Sequence, residues 1–391
     1  MRRLDPPARS MVAAREYDNA VFVALELSRS NWLIAINLPD SEKVSKYRVA
    51  AADTATLLSL LSRLKMQAEQ RCGETVRVIS IHEAGLDGFW VHRLLQANGI
   101  DSHVVDAASI AVERRKRRAK TDRIDVEKLL RTLMGWVRGE RRICSMVRPP
   151  NLQQEDARRI TRERETLIAE RIKHVNRIKG LLATQGIFGF EPLRKHRRER
   201  MEELRCWDGQ PLPPRLKAEL LRELQRLELV LSQISAVEAE RDLALKQAGT
   251  VETISAGNST GALLVRLKGI GPEIASVLSS EAFFRCFGNR REVAAYAGLT
   301  PSPWQSGGID VEQGISKAGN SRLRQTVIQL AWLWLGHQPG SALSHWYHER
   351  VGARRGKIRR IAIVAVARKL LVALWRFVAQ GVIPAGAELK V

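Results

Sequence analysis

Cysteine is scarce in this chain, and its four copies, Cys72, Cys144, Cys206 and Cys286, lie far apart with no C-x-x-C pair. That spacing suggests neither a zinc ribbon nor a disulfide scaffold, and it fits a reducing cytoplasm. The eight histidines are equally dispersed and offer no ligand spacing. No uninterrupted apolar stretch approaches the length of a membrane-spanning helix, so no membrane passage is expected. The start M-R-R-L-D-P-P-A-R-S carries positive charge but no apolar signal segment follows, which points away from secretion and toward a cytoplasmic protein. Acid is also short: 42 Asp and Glu stand against 64 Lys and Arg, a formal charge of +22. A field of that sign attracts polyanions, with anionic lipid surfaces as the bland rival.

The basic excess recurs at 113–123, 138–148, 171–179, 194–200 and 350–360. Its densest run is E-R-R-K-R-R-A-K-T-D-R-I-D, where Arg114, Arg115, Lys116, Arg117, Arg118 and Lys120 lead straight into Asp122 and Asp125. A basic run alone reads as a surface for a nucleic-acid backbone. Carboxylates at its edge add the means to hold metal ions against a phosphate. Charge balancing by the neighbouring arginines is the plainer role for the same two acids.

The first 150 residues alternate strand-like and helix-like segments, the pattern of an α/β domain. Strands are expected at 21–27, 31–38 and 43–50, a helix over 53–69, and a strand in V-R-V-I-S-I-H-E that delivers Glu83 at or just beyond its end. A helix opens at D-G-F-W, and a short strand follows near 103–105. Glu26 sits within the first apolar strand, an expensive place for a charge unless it lies at an edge or binds a metal. Asp122 and Asp125 begin or precede the periodic I-D-V-E-K-L-L-R-T-L-M helix, and their separation can put them on one face. Glu26, Glu83, Asp122 and Asp125 together would suit Mg²⁺ at a phosphodiester. Taken singly, each acid is a cap, a salt-bridge partner or a solvated strand residue.

Two long amphipathic helices are expected in the middle, over 157–182 and 214–246, with a basic bend at 194–200 between them. They read as an antiparallel hairpin with a core or oligomerisation face. Further on, Lys268-Gly269-Ile270-Gly271-Pro272 between helix-like segments resembles a helix-hairpin-helix turn: Gly269 and Gly271 permit a tight bend, following amides can face phosphate, and Lys268 adds charge. An ordinary glycine-rich turn is the simpler reading. Ser306, beside Gly307 and Gly308, also reads first as a turn residue. Trp332 and Trp334 fall in an apolar helix where packing is expected, and another strongly apolar helix covers 361–379.

A-L-E-L-S-R-S-N-W, H-E-A-G-L-D-G-F-W, V-V-D-A-A-S-I and R-R-A-K-T-D-R-I-D-V-E-K-L-L, in that order, resemble the N-terminal domain of a bacterial insertion-sequence transposase family with a RuvC-like DEDD domain. Y-A-G-L-T-P-S-P-W-Q-S-G-G-I-D-V-E-Q-G-I-S-K-A-G-N-S-R-L-R resembles the same family's C-terminal domain. The resemblance spans about 20–380 and implies an α/β RNase H-like (RuvC-like) domain at 20–150 after an extension at 1–19. It further implies a helical coiled-coil region at 151–250 and a mainly α transposase domain at 251–391 with a helix-hairpin-helix-like element. It maps the acidic tetrad onto Glu26, Glu83, Asp122 and Asp125, with Glu26 where the family usually has Asp. It maps the nucleophile onto Ser306, with Ser316 and Lys317 in support and Asn320, Arg322 and Arg324 orienting or binding phosphate.

The implied activity is cleavage and rejoining of DNA through a transient phosphoserine linkage, with Mg²⁺ held by the acids. Donor and target DNA, a non-coding bridge RNA and a homo-oligomer, dimer or tetramer, are the implied partners. Two other readings stay open: a metal-dependent Holliday-junction resolvase or nuclease in which water attacks, and an inactive nucleic-acid scaffold.

Overall fold

The computed structural model describes residues 19–85, 88–110, 122–248, 260–306, 309–354 and 356–390. Residues 1–18 of the expected extension, and the whole run Arg114, Arg115, Lys116, Arg117, Arg118 and Lys120, lie outside the described residues. The chain divides into two units, Met1–Pro150 and Asn151–Val391.

β-branched and aliphatic residues at alternating positions build the first unit around a sheet. β1 (Ala20–Glu26), β2 (Asn31–Asn37) and β3 (Val44–Ala50) form an antiparallel meander. Helix α1 (Thr54–Cys72) follows, started by Asp53, whose side chain accepts from the Thr56 amide, and ended by Gly73 in the left-handed region. β4 (Arg77–Glu83), α2 (Trp90–Ala97) and β5 (Asp101–Val105) come next, then α3 (Asp122–Val137) and the short β6 (Met146–Val147). The sheet order is β3-β2-β1-β4-β5-β6, with β1, β4 and β5 parallel and β6 antiparallel to β5. This is the expected mixed RNase H-like sheet, and the expected element positions agree to within a few residues.

Strand alternation splits the core between the two faces. Val21, Val23, Leu25 and Val78 pack with Leu57, Leu61 and Leu64 of α1 and Val91 and Leu95 of α2. Ala20, Phe22, Ala24, Ile79 and Ile81 pack on the other face with Val126, Leu129, Leu130 and Leu133 of α3.

The second unit is mainly helical. α4 (Leu152–Ala183) opens with a capping box between Asn151 and Gln154. The short α5 (Arg197–Glu202) and the long α6 (Pro214–Gln247) follow. α4 and α6 run antiparallel: Arg164 meets Glu238, His174 meets Glu223, and Arg177 meets Glu219. Their seam buries Leu167, Ile178 and Leu182 against Leu220, Leu224, Leu227, Val230, Ile234 and Val237, spaced at threes and fours.

α7 (Thr260–Val265), α8 (Pro272–Val277) with its π-helical extension Leu278–Ala282, and α9 (Arg290–Tyr296) precede a hairpin of β7 (Pro301–Ser306) and β8 (Ile309–Ile315). α10 (Ser321–His337), α11 (Ala342–Val351) and α12 (Lys357–Gln380) close the unit around a core that includes Leu330, Trp334, Val366, Leu370 and Leu374. No described helix is long and apolar enough to cross a membrane.

Candidate active site

β1 and β4 lie side by side in parallel, with Leu25 opposite His82 as their last registered pair. The next residue of each strand is a carboxylate, Glu26 and Glu83. Alternation continues Ala24 and Ile81 onto these two acids, so both emerge on the face that α3 covers. Each is half-buried at a strand end, which removes the cost that full burial of Glu26 would carry. Together with Ser28, Arg29, Gly85 and Gly88 they line one cleft of about 180 Å³.

Asp122 opens α3, four residues ahead of the buried Val126, and Asp125 stands half-buried in the same first turn. Acids in a first turn are also favoured by the helix dipole. Glu127, two residues on, turns to Lys46 of β3, and that hydrogen bond holds its carboxyl below the ordinary value.

Among the described residues, no group of three or more His, Cys, Asp or Glu is gathered closely enough to hold a metal ion. Mg²⁺ does not require such a cage, because it is commonly bound by one or two carboxylates, with waters and substrate phosphates completing the shell. The cleft lined by the two carboxylate residues Glu26 and Glu83 fits that requirement. Arg29 is a residue that reasoning from sequence missed. It sits three residues past Glu26 in the β1–β2 connection and lines the acid cleft.

His82, beside Glu83, faces the opposite side and is fully buried, with no hydrogen-bond partner at either ring nitrogen among the described residues. Burial, and then the nearby His92 ring at 6.5 Å, push its pKa down to about 4. It is therefore a neutral core residue near neutral pH.

In the second unit Ser306 ends β7 and pairs with Ile309 across the turn, so it stands at the tip of the β7–β8 hairpin. Gly307 and Gly308 lie outside the described residues. The base of the hairpin is closed by backbone bonds from Ser316 to Thr300 (2.8 Å), Lys317 to Gly298 (3.1 Å) and Asn320 to Tyr296 (2.8 Å). The Thr300 hydroxyl donates to the Ser316 hydroxyl at 3.1 Å. Arg324 donates to the carbonyls of Ala297 (3.2 Å) and Lys317 (3.0 Å), one on each side of the base. Asn320 caps α10 by accepting from the Leu323 amide and donates to Glu281 at 3.0 Å. Arg322 pairs with Glu165 of α4. These three side chains, expected at a phosphate, have partners inside the fold.

The G-I-G-P turn joins α7 to α8 as expected. Gly269 has φ +82°, and a Cβ there would come within 2.9 Å of His337, so the turn needs glycine. Lys268 pairs with Glu388, and Gly269 and Gly271 line a cleft with Arg164, Arg241 and His337. Trp334 is fully buried and donates to Ser341, as a packing residue should. Trp332 differs: it is 39% exposed, with the Arg359 guanidinium 5.3 Å from its ring.

Carboxylates at the ends of neighbouring parallel strands, in a sheet ordered β3-β2-β1-β4-β5 with helices on both faces, define a RuvC-like protein of the RNase H-like class. The chain belongs to the IS110/IS1111 family of bacterial transposases and carries a DEDD, RuvC-like domain. A model for DEDD transposases of the IS110 type matches residues 27–186, and one described as the transposase IS116/IS110/IS902 family matches residues 261–346. The chain is similar to the putative transposase y4rJ of Sinorhizobium fredii, with 56% identity over 375 residues and 95% of each chain covered. It is also 26% identical to the transposase for insertion sequence element IS1111A of Coxiella burnetii over 264 residues, 66% of each chain. The transposase for insertion sequence element IS1328 of Yersinia enterocolitica shares 26% identity over 244 residues, 61% of this chain and 67% of that one.

Proposed function

We propose that this transposase cuts and rejoins DNA through Ser306, with Glu26, Glu83, Asp122 and Asp125 holding Mg²⁺ for the same reaction. The observation that carries the metal part is the shared cleft of Glu26 and Glu83 at adjoining strand ends. Bound there, Mg²⁺ would supply positive charge to the phosphoryl oxygens and to the attacking hydroxyl. The Ser306 Oγ forms a bond to phosphorus as the bond to a deoxyribose oxygen breaks. The serine proton passes to water, and the departing sugar oxygen is protonated. A DNA hydroxyl then attacks the phosphoserine, restoring serine and a phosphodiester without oxidation or net hydrolysis. The hairpin tip suits this role because Ser306 ends its strand there, and the two glycines that follow it in sequence carry no side chain to obstruct a phosphate. Arg29 would steady the phosphate at the acid cleft.

Base pairing with a non-coding bridge RNA would choose donor and target DNA, and the protein would contact backbone. Its free cations suit that division of labour. Arg350, Arg354, Lys357 and Arg360 are exposed around the α11–α12 corner, where none has a carboxylate partner among the described residues, and Arg359 adds its charge over Trp332. Assembly into a dimer or tetramer would use the α4–α6 hairpin as a coiled coil, whose far end exposes Phe188 (80%) and Trp207 (82%). The domains at 20–150, 151–250 and 251–391 would then serve metal chemistry, assembly and strand exchange.

The test is excision of the intact element in cells, together with capture of labelled DNA on denatured protein. Ser306→Ala should abolish the covalent adduct while duplex binding persists. Glu83→Gln and Asp125→Asn should each lower excision by about a hundredfold or more. Undiminished metal-dependent cutting by Ser306→Ala would instead establish the nuclease reading, with water as the attacker.

A further inference from the structure

Among the described residues, Glu281 is the most deeply buried carboxylate in the second unit, at 1% exposure, and it lies in the π-helical turn after α8. Single π turns inside helices often mark functional positions. Arg162 of α4 grips it with two bonds, Nε to Oε1 at 2.8 Å and Nη2 to Oε2 at 3.2 Å. Asn320 donates to the same Oε2 at 3.0 Å. Arg158, one turn before Arg162, adds a second positive charge and donates to the Ser280 carbonyl at 3.0 Å. Burial works to protonate this carboxyl, but Arg162, Asn320 and Arg158 outweigh it and keep it below the ordinary value.

Asn320 is the point where this charge node meets the Ser306 hairpin. Its amide is bonded to Tyr296, its side chain caps α10, and the Lys317 carbonyl just before it is held by Arg324. Two glycines make the closure tight: a Cβ at Gly298 would lie 2.0 Å from the Ala318 carbonyl oxygen, and one at Gly319 would lie 2.4 Å from that of Tyr296. Both ends of the hairpin therefore meet at Asn320, which reaches α4 through Glu281, beside the separate Arg322–Glu165 pair.

We infer that Glu281 is a positioning residue for strand exchange: through Asn320 it anchors the base of the β7–β8 hairpin to α4 and so sets where Ser306 is presented. The inference rests on the reading of Ser306 as nucleophile. A carboxylate suits the node because the Arg162 fork and the Asn320 amide both donate to it while Arg158 adds a second positive charge nearby, and an anion answers all three. Neither Glu281 nor its arginines touches DNA in this role, so their loss acts on the rate of cleavage rather than on binding.

Three variants of the full chain test this: Glu281→Gln, Asn320→Ser and the reciprocal pair Glu281→Gln with Asn320→Asp. Asn320→Ser keeps a helix cap while removing the amide donor, and so guards against a variant that fails to fold. The reciprocal pair returns one carboxylate and a reversed amide bond to the node. Adduct formation on DNA carrying the element's ends should fall about tenfold to a hundredfold in both single variants, consistent with a small displacement of the attacking group. Duplex affinity should hold, and the reciprocal pair should recover most of the rate. Hydrogen exchange should quicken at 316–322 in the single variants and leave 220–230 of α6 unchanged.

Wild-type adduct levels in Glu281→Gln, beside an inactive Ser306→Ala, would overturn the inference alone. So would a lost rate with unaltered exchange at 316–322. Cutting by Ser306→Ala would remove the nucleophile reading on which it rests.

Discussion

His82 is an uncharged imidazole in a strand whose next residue is a candidate metal ligand, and its titration makes the first unit sensitive to acid. Its pKa falls from an ordinary 6.5 to about 4 because burial, and then His92, disfavour the charged ring. A depressed native pKa means that the unfolded chain takes up the proton first. The corresponding stability is complete above pH 6.5 and is lost as pH falls toward 4, an effect of up to about 3 kcal/mol. His82→Leu should flatten the acid limb of unfolding in urea titrations across that range; an unchanged limb would assign the sensitivity elsewhere. Reasoning from sequence located Glu83 at the strand end because the apolar run stops there. It could not tell that His82 faces a closed core, because burial on that side depends on α2, a separate helix. The internal partners of Asn320 and Arg324 were hidden for a related reason: a polar side chain next to a glycine turn offers the same letters whether it serves a ligand or a carbonyl 27 residues away.

Among the elements, the long helices and the sheet were the most legible, since apolar spacing over many residues admits one period. The α6 boundaries, Pro214–Gln247, differ from expectation by one residue because proline starts the helix and the leucine repeat carries it on. The β7–β8 hairpin was not foreseen. Pro301 and Pro303 deny ladder donors and coincide with a register shift, and the S-G-G turn looks like loop. What holds the hairpin is non-local, through Gly298, Gly319 and Arg324. Gly319→Ala should therefore be costly: φ is +92° and the Tyr296 oxygen blocks the new methyl, so a loss of roughly 2 kcal/mol or more is expected in thermal unfolding. Excision should fail with it, whereas Gly336→Ala on α10, which meets nothing within 4 Å, should be tolerated.

Across the whole molecule, the +22 charge is unevenly available. Along the α4–α6 hairpin Arg164, Arg177, Lys179, Arg198, Lys217, Arg226 and Arg241 are all paired with carboxylates. Even the basic bend spends Arg198 on Glu228, and Arg200 stacks on Phe190. Among the described residues, the cations of the α11–α12 corner have no such carboxylate partners, and they remain able to release counterions on meeting a backbone. Replacing Arg359 and Arg360 by Gln should weaken duplex binding about equally for all sequences and reduce the slope of log affinity against log salt by about two. Loss confined to one sequence would point to base contact instead. Composition pointed to a polyanionic partner, but the choice of surface depends on which cations have internal partners.

The charge node on α4 also has a timetable. Arg162 and Glu281 are separated by 119 residues, and Glu165 and Arg322 by 157. At ordinary rates of synthesis, Glu281 leaves the ribosome roughly 6–24 s after Arg162. Every strand of the first sheet has emerged by then, so the acid cleft can be complete while α4 still carries Arg158 and Arg162 unneutralised. Synthesis halted in that window yields a finished RNase H-like fold tethered to an undocked basic helix, with no serine hairpin yet made.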